Sequence, residues 1–160
     1  MTLVPGDPAP DFDLPRDGGG RVSLSQLAGR PVVLFIYPAD DTPGCTTEAQ
    51  DFTRLLPEFE ALGATVLGLS AGDAAAKDRF RDKAGLGVPL LADETGDTIR
   101  AYGAWGEKSM YGRRYEGILR TTVLIGADGR VLRVWNVSRV KNHAAQVLDA
   151  VRAAAAPAGN

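Results

Sequence analysis

The single cysteine of this chain, Cys45, is the residue best suited to covalent chemistry. It follows an apolar run, residues 32–37, that predicts a buried strand, and it precedes a segment with helical spacing. Thr42 suits the position before a helix and Pro43 suits its first position, so we expect Cys45 in the first helical turn. The unpaired N–H groups and the helix dipole there favour a thiolate, the nucleophilic form of cysteine. The alternative is an unreactive cysteine that packs as a small hydrophobic residue.

Three other kinds of cysteine chemistry are disfavoured, two by the residue counts and one by the position of the histidine. Four-coordinate zinc needs several Cys or His ligands, and the chain has one of each, so we expect no metal and no cofactor. A dithiol mechanism is excluded because Cys45 has no second cysteine to pair with. A Cys–His dyad would need His143 beside Cys45, but we interpret His143, next to Asn142 at the start of the last helix, as solvent-exposed.

Composition and charge describe an ordinary globular chain. Its 160 residues are 44% hydrophobic and 24% charged, which predicts one domain spanning 1–160. A net charge of −2 argues against nucleic-acid and anionic-membrane partners, which favour a basic face. The start of the chain lacks a basic and apolar leader, and no run approaches 18 apolar residues. We therefore expect a cytoplasmic protein that does not bind membranes.

The hydrophobic pattern alternates between strands and helices. A glycine-rich turn at residues 17–20 predicts an N-terminal hairpin, and residues 103–117 have no clear period and are interpreted as a long loop. The remaining strands are predicted at residues 32–37, 64–70, 88–92, 120–126 and 130–137. This order, closing on an antiparallel hairpin, predicts a mixed sheet with helices on both faces. The first few residues and residues 157–160 are expected to be disordered.

Four helices are predicted between and after these strands. The first follows Thr42 and has an apolar face, although Pro57 should kink or break it. The second runs from an Asp73 cap to about residue 83 with Phe80 inward, and a short third helix covers residues 95–102. The fourth begins after Asn142.

Several spaced motifs resemble one protein family. The pattern Pro38-x-x-x-Thr42-x-x-Cys45 is similar to the peroxiredoxin signature. The longer stretch 37–46 resembles the PrxQ subfamily, also called bacterioferritin comigratory proteins. Further similarities follow in the family's order at residues 6–12, 66–70, 91–94, 102–108 and 117–125.

The resemblance implies an α/β, thioredoxin-like fold and a thiol-dependent peroxidase acting on hydrogen peroxide and organic hydroperoxides. Cys45 would attack one peroxide oxygen and become a sulfenic acid, while the Thr42 hydroxyl binds the peroxide. Arg120 would lie beside the sulfur and bind the developing charge, and Pro38 would shield the pocket from water. Glu48 would orient Arg120 from one helical turn beyond the cysteine.

Each assigned role has a simpler alternative that the residues alone leave open. Thr42 can be a plain helix cap, and both roles can hold together. Arg120 can be a surface arginine of a strand, and only the motif distinguishes it from the others in this half of the chain. Glu48 can be a first-turn glutamate favoured by the helix dipole.

The chain departs from many PrxQ proteins because it has no second, resolving cysteine. The position five residues after Cys45 is Gln50, and residues 80–84 contain no cysteine either. The sequence therefore resembles a 1-Cys enzyme whose sulfenic acid is reduced by thioredoxin, glutaredoxin with glutathione, or another low-molecular-weight thiol. We expect a monomer, with a Cys45–Cys45 dimer left open. A peroxide sensor and a non-catalytic thioredoxin-like binding or chaperone module are the alternatives.

Overall fold

The computed structural model describes residues 3–155 of the chain. The strands are β1 (Asp13–Pro15), β2 (Arg21–Ser23), β3 (Val32–Ile36), β4 (Thr65–Ser70), β5 (Leu90–Ala92), β6 (Trp105–Met110), β7 (Arg113–Ile118), β8 (Thr121–Ile125) and β9 (Val131–Asn136). The α-helices are α1 (Pro43–Ala61), α2 (Ala74–Ala84), α3 (Asp97–Ala101) and α4 (His143–Ala155), and a 3-10 helix covers Leu24–Leu27. The residues expected to be disordered at 157–160 lie outside the described part.

A five-stranded mixed sheet forms the centre of the fold, in the order β5-β4-β3-β8-β9. The pairs β3–β4 and β4–β5 are parallel, whereas β3–β8 and β8–β9 are antiparallel. All five residues of the central strand β3 are buried, as expected for a strand covered on both faces. The predicted mixed sheet flanked by helices is therefore confirmed.

Two hydrophobic layers cover the faces of this sheet. On one face, Phe35 of β3 stacks on Phe52 of α1 with ring centroids 4.6 Å apart, and α2 and α4 extend the same layer. On the other face, Leu34 packs in a layer that includes Ile99 of α3. A Cβ at Gly68 of β4 would lie 2.8 Å from the Phe35 ring, so only glycine allows this close packing. The layers hold β3 in place, and β3 leads directly to the loop before Cys45.

Of the kink or break expected at Pro57, the break is wrong, because α1 continues through this residue to Ala61. Proline removes one backbone hydrogen bond, but the residues around it bury the apolar face of the helix. Leu55 and Phe59 are both buried, on either side of Pro57. Tertiary packing thus overrides the local preference over the last turn.

The expected loop at residues 103–117 is also wrong, because it contains a hairpin of β6 and β7. Tyr111 and Gly112 at its tip both have positive φ, at 53° and 76°, which matches a two-residue type I′ turn. Most of β7 is exposed, so the usual alternation of apolar and polar residues is missing. Backbone pairing rather than burial defines these strands.

The N-terminal hairpin is present as β1 and β2, and Asp17 in its turn attaches it to the rest of the fold. The Asp17 carboxylate accepts hydrogen bonds from the backbone N–H of Leu90 at 2.8 Å and from Arg81 of α2 at 3.2 Å. As predicted, Asp73 caps α2 by accepting a hydrogen bond from the Ala76 N–H. Among residues 3–155, no helix combines the length and apolar character needed to cross a membrane.

Candidate active site

Cys45 lies in the first turn of α1, where the sequence predicts it. Thr42 precedes the helix in an extended conformation and Pro43 begins it. The Thr42 hydroxyl does not cap the helix with a side-chain bond; it donates to the backbone oxygen of Ala39 at 3.1 Å. The hydroxyl oxygen therefore keeps its lone pairs available to accept a hydrogen bond from a ligand. Cys45 itself is only 1% exposed.

Arg120 reaches this cysteine from the short connection between β7 and β8. Its Nη2 donates to Cys45 Sγ at 3.3 Å, and its Nη1 donates to Glu48 Oε1 at 2.6 Å. The rigid fork of the guanidinium makes both contacts at once, which a lysine ammonium could not reproduce. The predicted association of Cys45, Arg120 and Glu48 is thus present in the geometry, although Arg120 lies 72 positions from Glu48 and 75 from Cys45.

Burial and mutual contact shift the pKa values of Glu48 and Arg120. Burial raises the pKa of Glu48 to about 7, and Arg120 opposes this change through its charge and hydrogen bond. The second carboxylate oxygen, Oε2, is buried and has no hydrogen-bond partner among the described residues. Burial lowers the pKa of Arg120, but Glu48 and Cys45 raise it to a net value above the ordinary one. Arg120 therefore remains a cation beside the sulfur.

The backbone leaves room for this cation at Gly44. A Cβ at this position would approach Arg120 Nη2 to 3.3 Å, so a side chain would press on the guanidinium. We did not predict a role for Gly44 from the sequence. A glycine after proline in a first helical turn does not indicate that a neighbouring side chain needs the space.

A cavity of about 550 Å³ opens beside Arg120. It is lined by Pro38, Lys108, Leu119, Arg120, Asn136, Val137 and Ser138. Arg120 was predicted beside the reacting sulfur, and Pro38 was predicted to shield the pocket from water. Lys108, whose Nζ donates to the backbone oxygen of Ile118 at 2.9 Å, was not predicted, because its hairpin was interpreted as a loop. The wall carries both apolar and polar groups, as a small-molecule site requires.

The interpretation of His143 as solvent-exposed is wrong. His143 is 4% exposed, and its Nε2 lies 2.8 Å from the Thr122 hydroxyl. Its ring contacts Phe52 and Trp135 edge-on, each at 6.0 Å between centroids. Burial, together with the charge of Arg120, lowers the pKa of His143 to about 4. It is a neutral core residue, and its hydrogen bond goes to Thr122 rather than to the cysteine.

The fold and this arrangement match one family of known proteins. The AhpC/TSA family profile matches residues 5–134. Peroxiredoxin Bcp from Xanthomonas campestris pv. campestris is 43% identical over 148 residues, covering 91% of this chain and 92% of that protein. A PrxQ cysteine-to-serine variant from Xylella fastidiosa has a TM-score of 0.91 at 35% identity, covering 98% of this chain and 99% of that one. Bacterioferritin comigratory protein from Xanthomonas campestris gives a TM-score of 0.86 at 40% identity, covering 91% and 92%.

This chain belongs to the AhpC/TSA family. Its similarity to Bcp and PrxQ proteins over most of its length confirms the peroxiredoxin resemblance and the thioredoxin-like fold predicted from the sequence. The prediction of a thiol-dependent peroxidase is confirmed at the same level, and a peroxide and a thiol reductant are its general reactants.

Proposed function

We propose that this chain reduces hydrogen peroxide and organic hydroperoxides through a sulfenic acid on Cys45. The observation that carries the proposal is the 3.3 Å contact between Arg120 Nη2 and Cys45 Sγ. A fixed cation beside a buried sulfur in a first helical turn favours the thiolate without any metal or second thiol. The buried Glu48 holds the guanidinium from behind at 2.6 Å.

The first step is a displacement at oxygen. The Cys45 thiolate attacks one peroxide oxygen, an S–O bond forms and the O–O bond breaks. The sulfur is oxidised by two electrons and becomes a sulfenic acid, and the leaving oxygen takes a proton to depart as water or an alcohol. Arg120 stabilises the charge that develops on the oxygens, which is where electrostatic preorganisation contributes most.

Thr42 and Pro38 orient and protect the substrate in this proposal. The Thr42 hydroxyl already donates to Ala39, so its oxygen accepts the O–H of the bound hydroperoxide. Pro38 forms the wall of the cavity that Arg120 also lines and limits access of water to the sulfur. Positioning of this kind accounts for much of the rate of a reaction with a weak bond to break.

An external thiol completes the cycle, because Cys45 is the only cysteine of the chain. One thiol condenses with the sulfenic acid to release water and leave a mixed disulfide. A second thiol then attacks the mixed disulfide, which restores Cys45 and releases the two external thiols joined as a disulfide. Thioredoxin, glutaredoxin with glutathione, and another low-molecular-weight thiol remain the proposed reductants, and a cytoplasmic monomer remains the proposed form.

Two observations support organic hydroperoxides as substrates: the activity described for a relative and the apolar part of the cavity lining. The bacterioferritin comigratory protein of Xanthomonas campestris is described as having alkyl peroxide reduction activity. In this chain Leu119 and Val137 give the cavity beside Arg120 an apolar part that can contact an alkyl group. Comparing rate constants for hydrogen peroxide and an alkyl hydroperoxide tests this part of the proposal.

The decisive experiment measures the reaction of reduced protein with hydrogen peroxide by stopped-flow tryptophan fluorescence, beside the Cys45→Ser variant. We expect a second-order constant above about 10⁴ M⁻¹s⁻¹, the lower edge of ordinary enzyme efficiency, and no reaction in the variant. A constant close to that of an unactivated thiol would reject the proposal. Fast oxidation with no turnover by small thiols, thioredoxin or glutaredoxin, but with a trapped protein disulfide at Cys45, would favour a peroxide sensor.

A further inference from the structure

A lysine lies fully buried beneath the loop that precedes Cys45. Lys77 of α2 has an exposure of 0%. Its Nζ donates to both oxygens of Asp40 at 3.0 and 3.2 Å, to Ser70 Oγ at 2.6 Å and to the Ala71 backbone oxygen at 2.6 Å. Burial lowers the pKa of Lys77, and the Asp40 carboxylate opposes this change. An ammonium group in such a place needs partners of this kind, and it has them.

The partner carboxylate belongs to the loop itself. Asp40 lies in the connection of residues 37–42 between β3 and α1, which also contains Pro38 and Thr42. A second anchor, the Tyr37 hydroxyl, donates to Asp40 Oδ1 at 2.7 Å. Burial raises the pKa of Tyr37, as does the Asp40 charge, so the phenol keeps its proton and remains a donor. Two buried donors therefore hold one side chain of this loop.

The backbone of this loop needs to be held. Asp41 has a φ of 61°, in the left-handed region that residues other than glycine seldom adopt. Such a conformation persists only where the surrounding structure enforces it. The Asp41 carboxylate also meets Lys83 at 2.7 Å, but both of these side chains are more than half exposed, and exposed pairs contribute little. The buried contact of Asp40 with Lys77 is thus the stronger restraint from α2.

A purely hydrophobic core would not need this lysine. Replacing a buried ion pair by apolar residues of similar volume is often neutral or stabilising. The pair instead connects α2 to the loop that carries Pro38 and Thr42 and leads into the first turn of α1, where Cys45 lies.

We propose that Lys77 is a positioning residue for the peroxidase reaction, acting through Asp40 to fix the loop that carries Pro38 and Thr42. This role rests on the proposed function and adds to it a residue on α2, outside the sequence motif. Lys77 touches neither the sulfur nor the substrate. It holds the loop so that the hydroxyl and the helix amides meet the peroxide in the reactive geometry.

The test is a double-mutant cycle of Lys77→Met and Asp40→Ala with Lys83→Met as the matched control. Lys83→Met removes a lysine from the same helix that contacts the same loop, but at the surface. For each protein we would measure the rate constant with hydrogen peroxide from pH 5 to 9 and the free energy of unfolding in urea. We expect Lys77→Met to lower the rate constant at least tenfold and Lys83→Met to change it less than twofold.

The cycle separates positioning from stability and from a through-space charge effect. Both single changes break the Lys77–Asp40 pair, and Asp40→Ala also loses the Tyr37 contact, so we expect the double variant to be no slower than Asp40→Ala. Its stability should recover relative to Asp40→Ala, which leaves a buried lysine without its carboxylate. We also expect the loss of rate to be of similar size across the measured range from pH 5 to 9. A rate that recovers together with stability, or a loss that disappears at high pH, would overturn the proposal.

Two outcomes keep this test apart from that of the proposed function. A slow wild-type protein would reject the peroxidase mechanism and the positioning role with it. A fast wild type with an unchanged Lys77→Met variant would reject the positioning role alone. If Lys77→Met or Asp40→Ala does not fold, Asp40→Asn keeps the volume of the side chain but removes its charge. An unchanged rate in Asp40→Asn would count against the proposal.

Discussion

Replacing Arg120 should slow the oxidation of Cys45 by an amount that the structure allows us to bound. Its Nη2 lies 3.3 Å from the sulfur. At an effective dielectric constant of about 20, the Coulomb energy of two unit charges at this separation is about 5 kcal/mol, which is an upper limit. A hydrogen bond to a charged group contributes a net amount of about 1.5–3 kcal/mol. That range corresponds to a rate about 10 to 150 times lower in Arg120→Met.

Arg120→Lys distinguishes charge from geometry in this prediction. Lysine keeps the positive charge but lacks the fork that contacts Glu48 and Cys45 together. We therefore expect a rate constant between those of the wild type and Arg120→Met. The assay is stopped-flow oxidation by hydrogen peroxide at pH 7, with each variant first checked for folding by circular dichroism.

Loss of the cation also leaves Glu48 buried without its partner, so folding must be controlled. Breaking a buried pair by removing one partner typically costs about 3–5 kcal/mol of stability. Glu48 can relieve part of this cost by taking a proton, because its pKa is already about 7. The double variant Arg120→Met with Glu48→Gln removes the unpaired charge and provides the control. A folded Arg120→Met variant that reacts within threefold of wild type would refute the assigned role of the arginine.

Three further predictions follow from the same site and its surroundings. Since Glu48 ionises near pH 7, Glu48→Gln should lose that contribution to the pH dependence of the rate and react several-fold more slowly at pH 8; an unchanged profile would contradict this. The lowered pKa of His143, about 4 against 6.5 when unfolded, stabilises the fold above pH 6.5, and this contribution declines as the pH falls toward 4. Between pH 7 and pH 4 the free energy of unfolding in urea should therefore fall by about 3 kcal/mol less in His143→Gln than in the wild type. An equal fall in both proteins would contradict this prediction. Without a resolving thiol, excess peroxide should convert Cys45 to sulfinic acid, seen as a second added oxygen by mass spectrometry; a product that stops at one oxygen at large excess would argue against it.

The local part of the site could be predicted from the sequence because it is contiguous. Residues 38–45 contain a helix start, and the rules for the residues before and within a first turn depend on neighbouring positions only. These rules placed Cys45 correctly at the N-terminus of α1. They were less accurate for Thr42, whose side chain bonds Ala39 instead of capping the helix. The choice between accepting from a helix N–H and donating to a backbone oxygen is decided by loop geometry that a residue type does not determine.

The long-range part could not be predicted from residue types. Arg120 and Glu48 meet only because β8 pairs with β3, the strand that leads to α1. The family motif, rather than a physical rule, selected Arg120 among the arginines. The sequence did not indicate that Lys77 is buried, because a lysine in a helix rich in polar residues is ordinarily exposed. The prediction for His143 was wrong because its partner Thr122 lies on a strand 21 residues earlier, so the sequence does not indicate that this ring is buried.

Gln50 occupies the position of the missing second cysteine and makes a hydrogen bond that holds the helix carrying Cys45. In many PrxQ proteins the corresponding position carries the resolving cysteine, whereas here Gln50 Nε2 donates to the backbone oxygen of Ala84 at 3.0 Å. That bond ties the second turn of α1 to the end of α2, the helix that also holds Lys77. A chain with one cysteine forms no internal disulfide, so no step of the proposed cycle requires this bond to break. A bond that keeps α1 in place is therefore compatible with reduction by an external thiol that comes to the folded site.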